Sequence, residues 1–222
     1  MPRPYRAVLF DIDGTLVDSN DVHARAWVDA FREASLDVPF DRVRPLIGMG
    51  GDKLVPAATG LDDEDPRVEK LGARRTKLLL EHYLRDIHRL PGALELVERL
   101  RAAGYVVATA TSAKDDELSA ILRAGGLDGL FHIKTSSSDA DNSKPAPDIV
   151  EAAVARAGVP ASACVMIGDT PYDITAARGA GVDIIAVRSG GWRDDDLAGA
   201  LAIYDGPADL LAHLDDSPLA PR

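Results

Sequence analysis

A single cysteine, Cys164, stands in a chain of 222 residues. No disulfide can form within the chain, and such sparing thiol use fits a reducing compartment. No run of Lys or Arg occurs, and 36 acidic against 25 basic residues give a formal net charge of −11. That balance argues against a nucleic-acid partner. It also means that an anionic substrate must be held by local devices: a metal ion, a helix N-terminus or one placed cation. No apolar run reaches the ~20 residues of a membrane span. The leading MPRPYRAVLF passes straight into a strand pattern without the form of a signal peptide. The expectation is a cytoplasmic location with no membrane partner. Repeats and low-complexity tracts are also missing. The hydrophobic share is 46%, enough for a sizeable core. The length suits one large domain or a core carrying a smaller insert. These features leave the oligomeric state unknown.

Periodicity divides the chain in two. Tyr5–Phe10 reads as a short buried strand. From Asn20 the spacing of Val22, Ala26 and Ala30, with Trp27 and Phe31, is helical. A turn-rich patch, IGMGGDK at 47–53, follows, and residues 64–85 read as one longer helix. No strand-like alternation occurs between 20 and 90. After Pro91 the rhythm changes. Helices are expected over 92–103, 114–124, 147–157 and 172–180, and strands over 105–110, 131–135, 163–167 and 183–187. Such alternation predicts an α/β fold, a doubly wound parallel sheet with a Rossmann-like core, carrying an inserted all-helical cap. The core would be residues 1–17 and 91–222, the cap residues 18–90, and the tail DDSPLAPR a frayed end.

The first strand ends in an unusual way. In VLFDIDGTLVDSN, Asp11 and Asp13 follow an apolar run, one residue apart. Two such carboxylates repel each other and are costly to desolvate, so a cation or a chemical task is expected behind them. In an open parallel sheet, ligands bind beyond the carboxyl ends of the strands. Thr111 and Ser112 follow the second expected strand, Lys144 in NSKPAPD follows the third, and Asp169 and Asp173 in IGDTPYD follow the fourth. Singly these have plainer readings as a turn, helix caps and a solvated lysine. Together they bring four carboxylates, a hydroxyl and an ammonium to one edge of the sheet.

These four segments resemble the haloacid dehalogenase-like superfamily of phosphohydrolases. DIDGTL matches its DxDGT(L/V) pattern, Thr111 its second-motif hydroxyl, Lys144 its third-motif lysine, and Asp169 with Asp173 its GDxxxD. The insertion falls at the family's cap position, between the first and second motifs. DSNDVHARAWVDAF and SKPAPDIV are similar to the phosphoglycolate phosphatase and β-phosphoglucomutase branch. The resemblance implies a phosphatase acting on a small phosphorylated metabolite. Asp11 is then the nucleophile that forms an aspartyl-phosphate. Asp13 protonates the leaving alkoxide and later takes a proton from water. Mg²⁺ is held by Asp11, Asp13 through its backbone carbonyl, Asp169 and Asp173. Thr111 and Lys144 hold the phosphoryl oxygens, Gly14 allows the turn and Thr15 braces it.

The cap is expected to close over the site, hinged near 17–20 and 88–92. His23 matches a histidine beside the acid/base group of the mutase branch. The IGMGGDK loop would face substrate, with Gly50 and Gly51 letting backbone approach closely and with Lys53 and Arg44 as candidate anion-binding groups, alongside Ser112 on the core. The alternative is a β-phosphoglucomutase-like phosphomutase. The arginine that sugar-phosphate mutases carry in this loop falls at Gly51, and only Lys77 offers itself as their second cap lysine. Both departures favour hydrolysis. A dehalogenase lacks the second acidic residue, which is present here as Asp13. A receiver domain places its phosphorylated aspartate after the third strand, not the first. A metal-binding scaffold without turnover is the plainest reading.

Overall fold

The computed structural model describes residues 5–220. β1 (Ala7–Phe10) is buried along its whole length, as expected for a strand covered on both faces. A two-residue strand β2 (Val17–Asp18) precedes helix α1 (Asn20–Glu33). Then come α2 (Phe40–Val43), α3 (Gly51–Thr59) and α4 (Pro66–Leu78). β3 (His88–Arg89) pairs antiparallel with β2, Val17 beside Arg89. The chain therefore leaves and re-enters the sheet region along one narrow ribbon, at the two places where hinges are expected. The remaining elements follow in the order α5 (Ala93–Ala102), β4 (Val106–Thr109), α6 (Asp115–Ala124), α7 (Asp148–Ala157), β5 (Cys164–Gly168), α8 (Pro171–Gly179), β6 (Asp183–Val187), β7 (Ala202–Tyr204) and α9 (Pro207–Ala212).

The sheet is parallel throughout, in the order β4-β1-β5-β6-β7. Its register sets the site. Phe10 lies beside Thr109 on one side and Ile167 on the other, so Asp11, Thr111 and Asp169 emerge close together at the same edge. Two apolar clusters cover the two faces. Phe10, Leu96, Val107, Ile121 and Val165 belong to one, and Leu9, Ile149, Met166, Ile174 and Ile184 to the other. A third cluster, built on Trp27, Phe31, Val43, Leu54, Val55 and Leu71, holds the helices between β2 and β3 together. Trp27 and Phe31 stack at 5.5 Å between ring centroids.

Four expectations are corrected. Residues 131–135 form no ladder, only an isolated bridge from Ala108 to Ile133. The backbone still bonds to β4, His132 N donating to Val107 O and Thr109 N to Ile133 O, each at 3.0 Å. Side chains add to this: Val107 N donates to His132 Nδ1, and Thr109 Oγ1 both donates to Thr135 O and accepts from Thr135 N. The helix expected over 64–85 is broken into α4, a wider π turn at Leu79–Tyr83 and a 3₁₀ turn at Leu84–Asp86. The added residue of the π turn lets both Leu78 and Leu79 turn inward. The turn-rich patch ends early, because α3 already begins at Gly51. The tail does not fray over 215–220; residues 221–222 lie outside the described part. Leu219 is 1% exposed, and its carbonyl accepts from Tyr105 Oη at 2.8 Å. β7 and α9 carry no signal that was read from the sequence. No helix among the described residues is long and apolar enough to cross a membrane.

The tail yields a prediction. Leu219→Ala should cost about 2–5 kcal/mol, the range for emptying a buried leucine site, read as a lowered urea midpoint. A midpoint unchanged within error would show that residues 217–220 contribute nothing to the fold.

Candidate active site

The site is assembled from strand ends and the turns that follow them. Asp11 leaves β1 with its N–H bonded to Ile167 O, and Gly14, at φ 79°, turns the chain back. A side chain at Gly14 would run into Asp169, since a Cβ there would lie 2.3 Å from Asp169 Oδ2. Asp169 follows β5 and is braced on both oxygens, accepting from Thr15 Oγ1 at 3.0 Å and from Asn20 Nδ2 at 3.0 Å. Asp173 sits in the first turn of α8 and closes a capping box with Thr170: its Oδ2 accepts from Thr170 N at 3.0 Å, and Thr170 Oγ1 accepts from Asp173 N at 3.1 Å. Lys144 arrives from the loop before α7 and is only 1% exposed. Its Nζ lies 2.6 Å from Asp11 Oδ1 and 2.7 Å from Asp173 Oδ1.

One ammonium thus faces three buried carboxylates. Burial pushes the Asp11 carboxyl up to about 7, with Asp173 and Asp13 adding to the rise and Lys144 opposing it. Burial, Asp11 and Asp173 hold Asp169 well above the ordinary carboxylate range, against Asn20 and Thr15. Burial alone would lower Lys144, but Asp11 and Asp173 outweigh it and raise its pKa. The cluster is short of positive charge. One oxygen from each of Asp11, Asp169 and Asp173 lies within 4.8 Å of the others. A buried donor set of carboxylate oxygens alone, with no thiolate or imidazole, suits a hard divalent cation.

The Asp13 carboxylate stands apart from that cluster. Its Oδ1 accepts from Ser19 Oγ at 2.5 Å and from His23 Nε2 at 2.8 Å. A carboxylate oxygen only accepts here, so Nε2 carries the hydrogen. Burial acts to raise Asp13, yet His23, Ser19 and Arg75 together leave it below the ordinary range. On the far side of the imidazole, Arg75 Nη1 lies 3.4 Å from His23 Nδ1. Arg75 also pairs with Glu117 and lies 5.0 Å over the Trp27 ring. Thr76 Oγ1 donates to the other Glu117 oxygen at 3.1 Å. Asp11, Asp13, His23, Trp27, Ile47, Gly48, Met49, Arg75, Thr111, Ser112, Ala113 and Glu117 line one cavity of about 40 Å³, room for a few water-sized groups.

The structure therefore brings Asp11, Asp13, His23, Thr111 and Ser112 to one cavity, with Lys144, Asp169 and Asp173 packed behind Asp11. Thr111 Oγ1 accepts from Ala113 N at 3.2 Å, and Ser112 Oγ donates to Gly48 O at 3.3 Å. The other cap candidates lie elsewhere. Arg44 reaches Asp21 at 2.6 Å and Gly190 O at 2.8 Å, tying the α1–α2 region to the loop after β6. Lys53 lies near Asp52 and Asp63 on the surface. Gly51 packs on Trp27, and Gly50 abuts Ser143, where a Cβ would approach Oγ to 2.0 Å. The close backbone approach expected of this loop is real, but at Gly50 its partner is the core loop leading to Lys144. Lys77 is exposed beside Glu81. Arg75 and Glu117 were not singled out from the sequence, and Trp27 only as part of a helical pattern. Arg75 lies in ARRTK and Glu117 in AKDDE, both of which read as solvated charge runs.

Comparison with known proteins agrees with this geometry. The family model described as haloacid dehalogenase-like hydrolase matches residues 5–181. The chain is 38% identical over 189 residues to Protein SUPPRESSOR OF QUENCHING 1, chloroplastic, of Arabidopsis thaliana; the match takes in 82% of this chain but only 18% of that protein's length. It is 33% identical over 217 residues to a phosphoglycolate phosphatase of Rhodospirillum rubrum, covering 92% of this chain and 89% of the other. A crystal structure of a hydrolase from Pseudomonas syringae superposes with a TM-score of 0.88 at 33% identity, covering 95% of this chain and 98% of that one.

The crowding of carboxylates has a measurable consequence. With the Asp11 carboxyl at about 7 against an ordinary 3.8, the folded chain keeps a proton there that the unfolded chain has released. This group's contribution is complete below 3.8 and is lost as pH rises through 7. Chelator-treated protein should therefore melt at progressively lower temperature from about pH 5 to about pH 8, and Asp11→Asn should flatten that slope. Scanning calorimetry reads both. An equal slope in the two proteins would contradict the assignment of strain to Asp11.

Proposed function

Since the chain belongs to the haloacid dehalogenase-like hydrolases, we propose that it is an Mg²⁺-dependent phosphatase of small phosphorylated metabolites that works through an aspartyl-phosphate on Asp11. The observation that carries this reading is the buried ammonium of Lys144 held between Asp11 and Asp173, with Asp169 beside them. Such an arrangement is costly for stability alone. It fits a site built to receive a phosphate ester.

Lys144 fixes Asp11 Oδ1, while Oδ2 has only a long 3.5 Å contact from Thr15 Oγ1. That leaves Oδ2 to attack phosphorus. The new Asp11 O–P bond forms as the ester P–O bond breaks, and the departing alkoxide takes a proton from Asp13. Asp13 then accepts a proton from the water that attacks the aspartyl-phosphate, which releases inorganic phosphate and restores Asp11. Ser19 and His23 aim Asp13 and favour its ionised form, which suits the second half-reaction. The first half needs the acid form, and approach of an anionic ester favours it by like-charge repulsion. Thr111 Oγ1 and Lys144 donate to the phosphoryl oxygens. Asp11, Asp169 and Asp173 would hold Mg²⁺, which supplies the positive charge that lets these carboxylates face a phosphate.

The division into a core of residues 1–17 and 91–222 and a cap of residues 18–90 is part of this proposal. It is supported by the separate cluster around Trp27 and by the β2–β3 ribbon. Residues 1–4 and 221–222 of that core lie outside the described part. Cap and core touch through Ser112–Gly48, Tyr172–Pro45 and Arg44–Gly190, which would part when substrate enters. A cytoplasmic location is likewise proposed, and a lone buried thiol is compatible with it. A phosphomutase must hold a second phosphate while its intermediate reorients. Among the described residues lining the cavity, Arg75 is already paired with Glu117, which favours hydrolysis.

With a panel of phosphate monoesters, Asp11→Asn should abolish release of phosphate while the fold survives. Asp13→Asn should lower kcat by about 10²–10⁴, and EDTA should stop the wild type. Substantial turnover by Asp11→Asn would remove the nucleophile from the scheme, and indifference to EDTA would remove the metal. Isomerisation of a hexose 1-phosphate given a bisphosphate primer, without free phosphate, would establish the mutase instead.

A further inference from the structure

We propose that Glu117 sets the substrate class, restricting the site to phosphate monoesters whose alcohol part is uncharged. The proposal rests on the phosphatase reading for which bond is broken, but the geometry behind it is separate. Glu117 comes from α6 on the core, is 1% exposed and lines the same cavity as Asp11, Asp13 and Thr111. One of its oxygens is paired with Arg75 and the other accepts from Thr76 Oγ1 at 3.1 Å. Arg75 in turn is set over Trp27 and reaches towards His23. Its freedom to swing towards a ligand is small.

The consequence for a ligand follows from charge. The phosphoryl end has Lys144 and Thr111. Among the described lining residues, the cation on offer to the rest of the ester is Arg75, and Glu117 already neutralises it. A carboxylate or second phosphate on the alcohol would meet the Glu117 carboxylate. It could take Arg75 only by leaving Glu117 buried without its counter-charge, which is strongly unfavourable. The remaining wall is apolar at Trp27, Ile47, Met49 and Ala113, with the Ser112 hydroxyl among them. That surface tolerates hydroxyl and methylene groups.

Two phosphonates of similar length, which cannot be hydrolysed, isolate the effect. They are 3-hydroxypropylphosphonate, with a neutral tail, and 2-carboxyethylphosphonate, with an anionic one. Their affinities for the Mg²⁺-loaded protein are measured by titration calorimetry, with hydrolysis of p-nitrophenyl phosphate followed in parallel. The wild type should bind the hydroxy compound about tenfold or more tightly than the carboxy compound, a difference of ~1.4 kcal/mol. Glu117→Gln keeps the shape and an acceptor for Thr76 but frees Arg75, and should bring the two affinities to within about threefold. A merely structural role for Glu117 would weaken both ligands alike and leave their ratio unchanged. An unchanged ratio in Glu117→Gln overturns the proposal. So does a wild type that prefers the carboxy compound, or that binds the two equally or not at all. If the predicted preference and its loss in Glu117→Gln appear without turnover of p-nitrophenyl phosphate, the phosphatase reading fails and the role of Glu117 stands.

Discussion

The buried contact of Lys144 Nζ with Asp11 and Asp173, at 2.6 and 2.7 Å, is the constraint around which the site is arranged. An ammonium removed from water needs counter-charge on more than one side. Asp11 and Asp173 provide it, from segments more than 160 positions apart. Their geometry is over-determined by neighbours. The β1–β5 register places Asp11 beside the end of β5, the Thr170 capping box holds Asp173, and Thr15 and Asn20 hold Asp169. The arrangement carries more negative than positive charge; burial first, and the neighbouring carboxylates after it, hold Asp11 and Asp169 above the ordinary range. A fold that keeps such an excess inside is poised to take up a cation and a phosphate ester together.

The second organising feature is the seam between the helices of residues 20–86 and the sheet. It combines apolar packing, in which Val22, Ala26 and Leu79 join the cluster of Leu16, Leu118 and Ile121, with a set of polar contacts. Glu117 receives Arg75 and Thr76, Ser112 donates to Gly48, Tyr172 to Pro45 and Arg44 to Gly190. The polar contacts can exchange with water when the seam opens. The glycines of IGMGGDK serve the same seam: backbone at Gly48 and Gly50 lies where a side chain would strike Thr170 or Ser143.

Much of the fold was legible because it is written locally. The buried run AVLF and the Gly-stopped helices each specify an element within about a dozen residues. The misread elements are those decided by distant neighbours. Residues 131–135 bond to β4 through backbone and side chains together and amount to a single bridge, and the 64–85 helix yields to the burial of both Leu78 and Leu79. Leu219 looks like the end of a polar tail until Tyr105, 114 positions earlier, bonds its carbonyl.

The sequence by itself determined the alternation of strands and helices and the identity of the acidic, hydroxyl and lysine groups at the strand ends. Hydrophobic period and turn chemistry act over short range, and a sheet edge collects whatever follows its strands. Only the tertiary structure decided which cap residues reach the cavity. Arg44 and Lys53 are spent on surface and seam contacts, while Arg75 is drawn inward by Trp27 and Glu117. A charged residue on an amphipathic helix has the same local pattern whether it faces water or a buried partner. The partner lies 42 positions away on another element, and only packing brings it into reach.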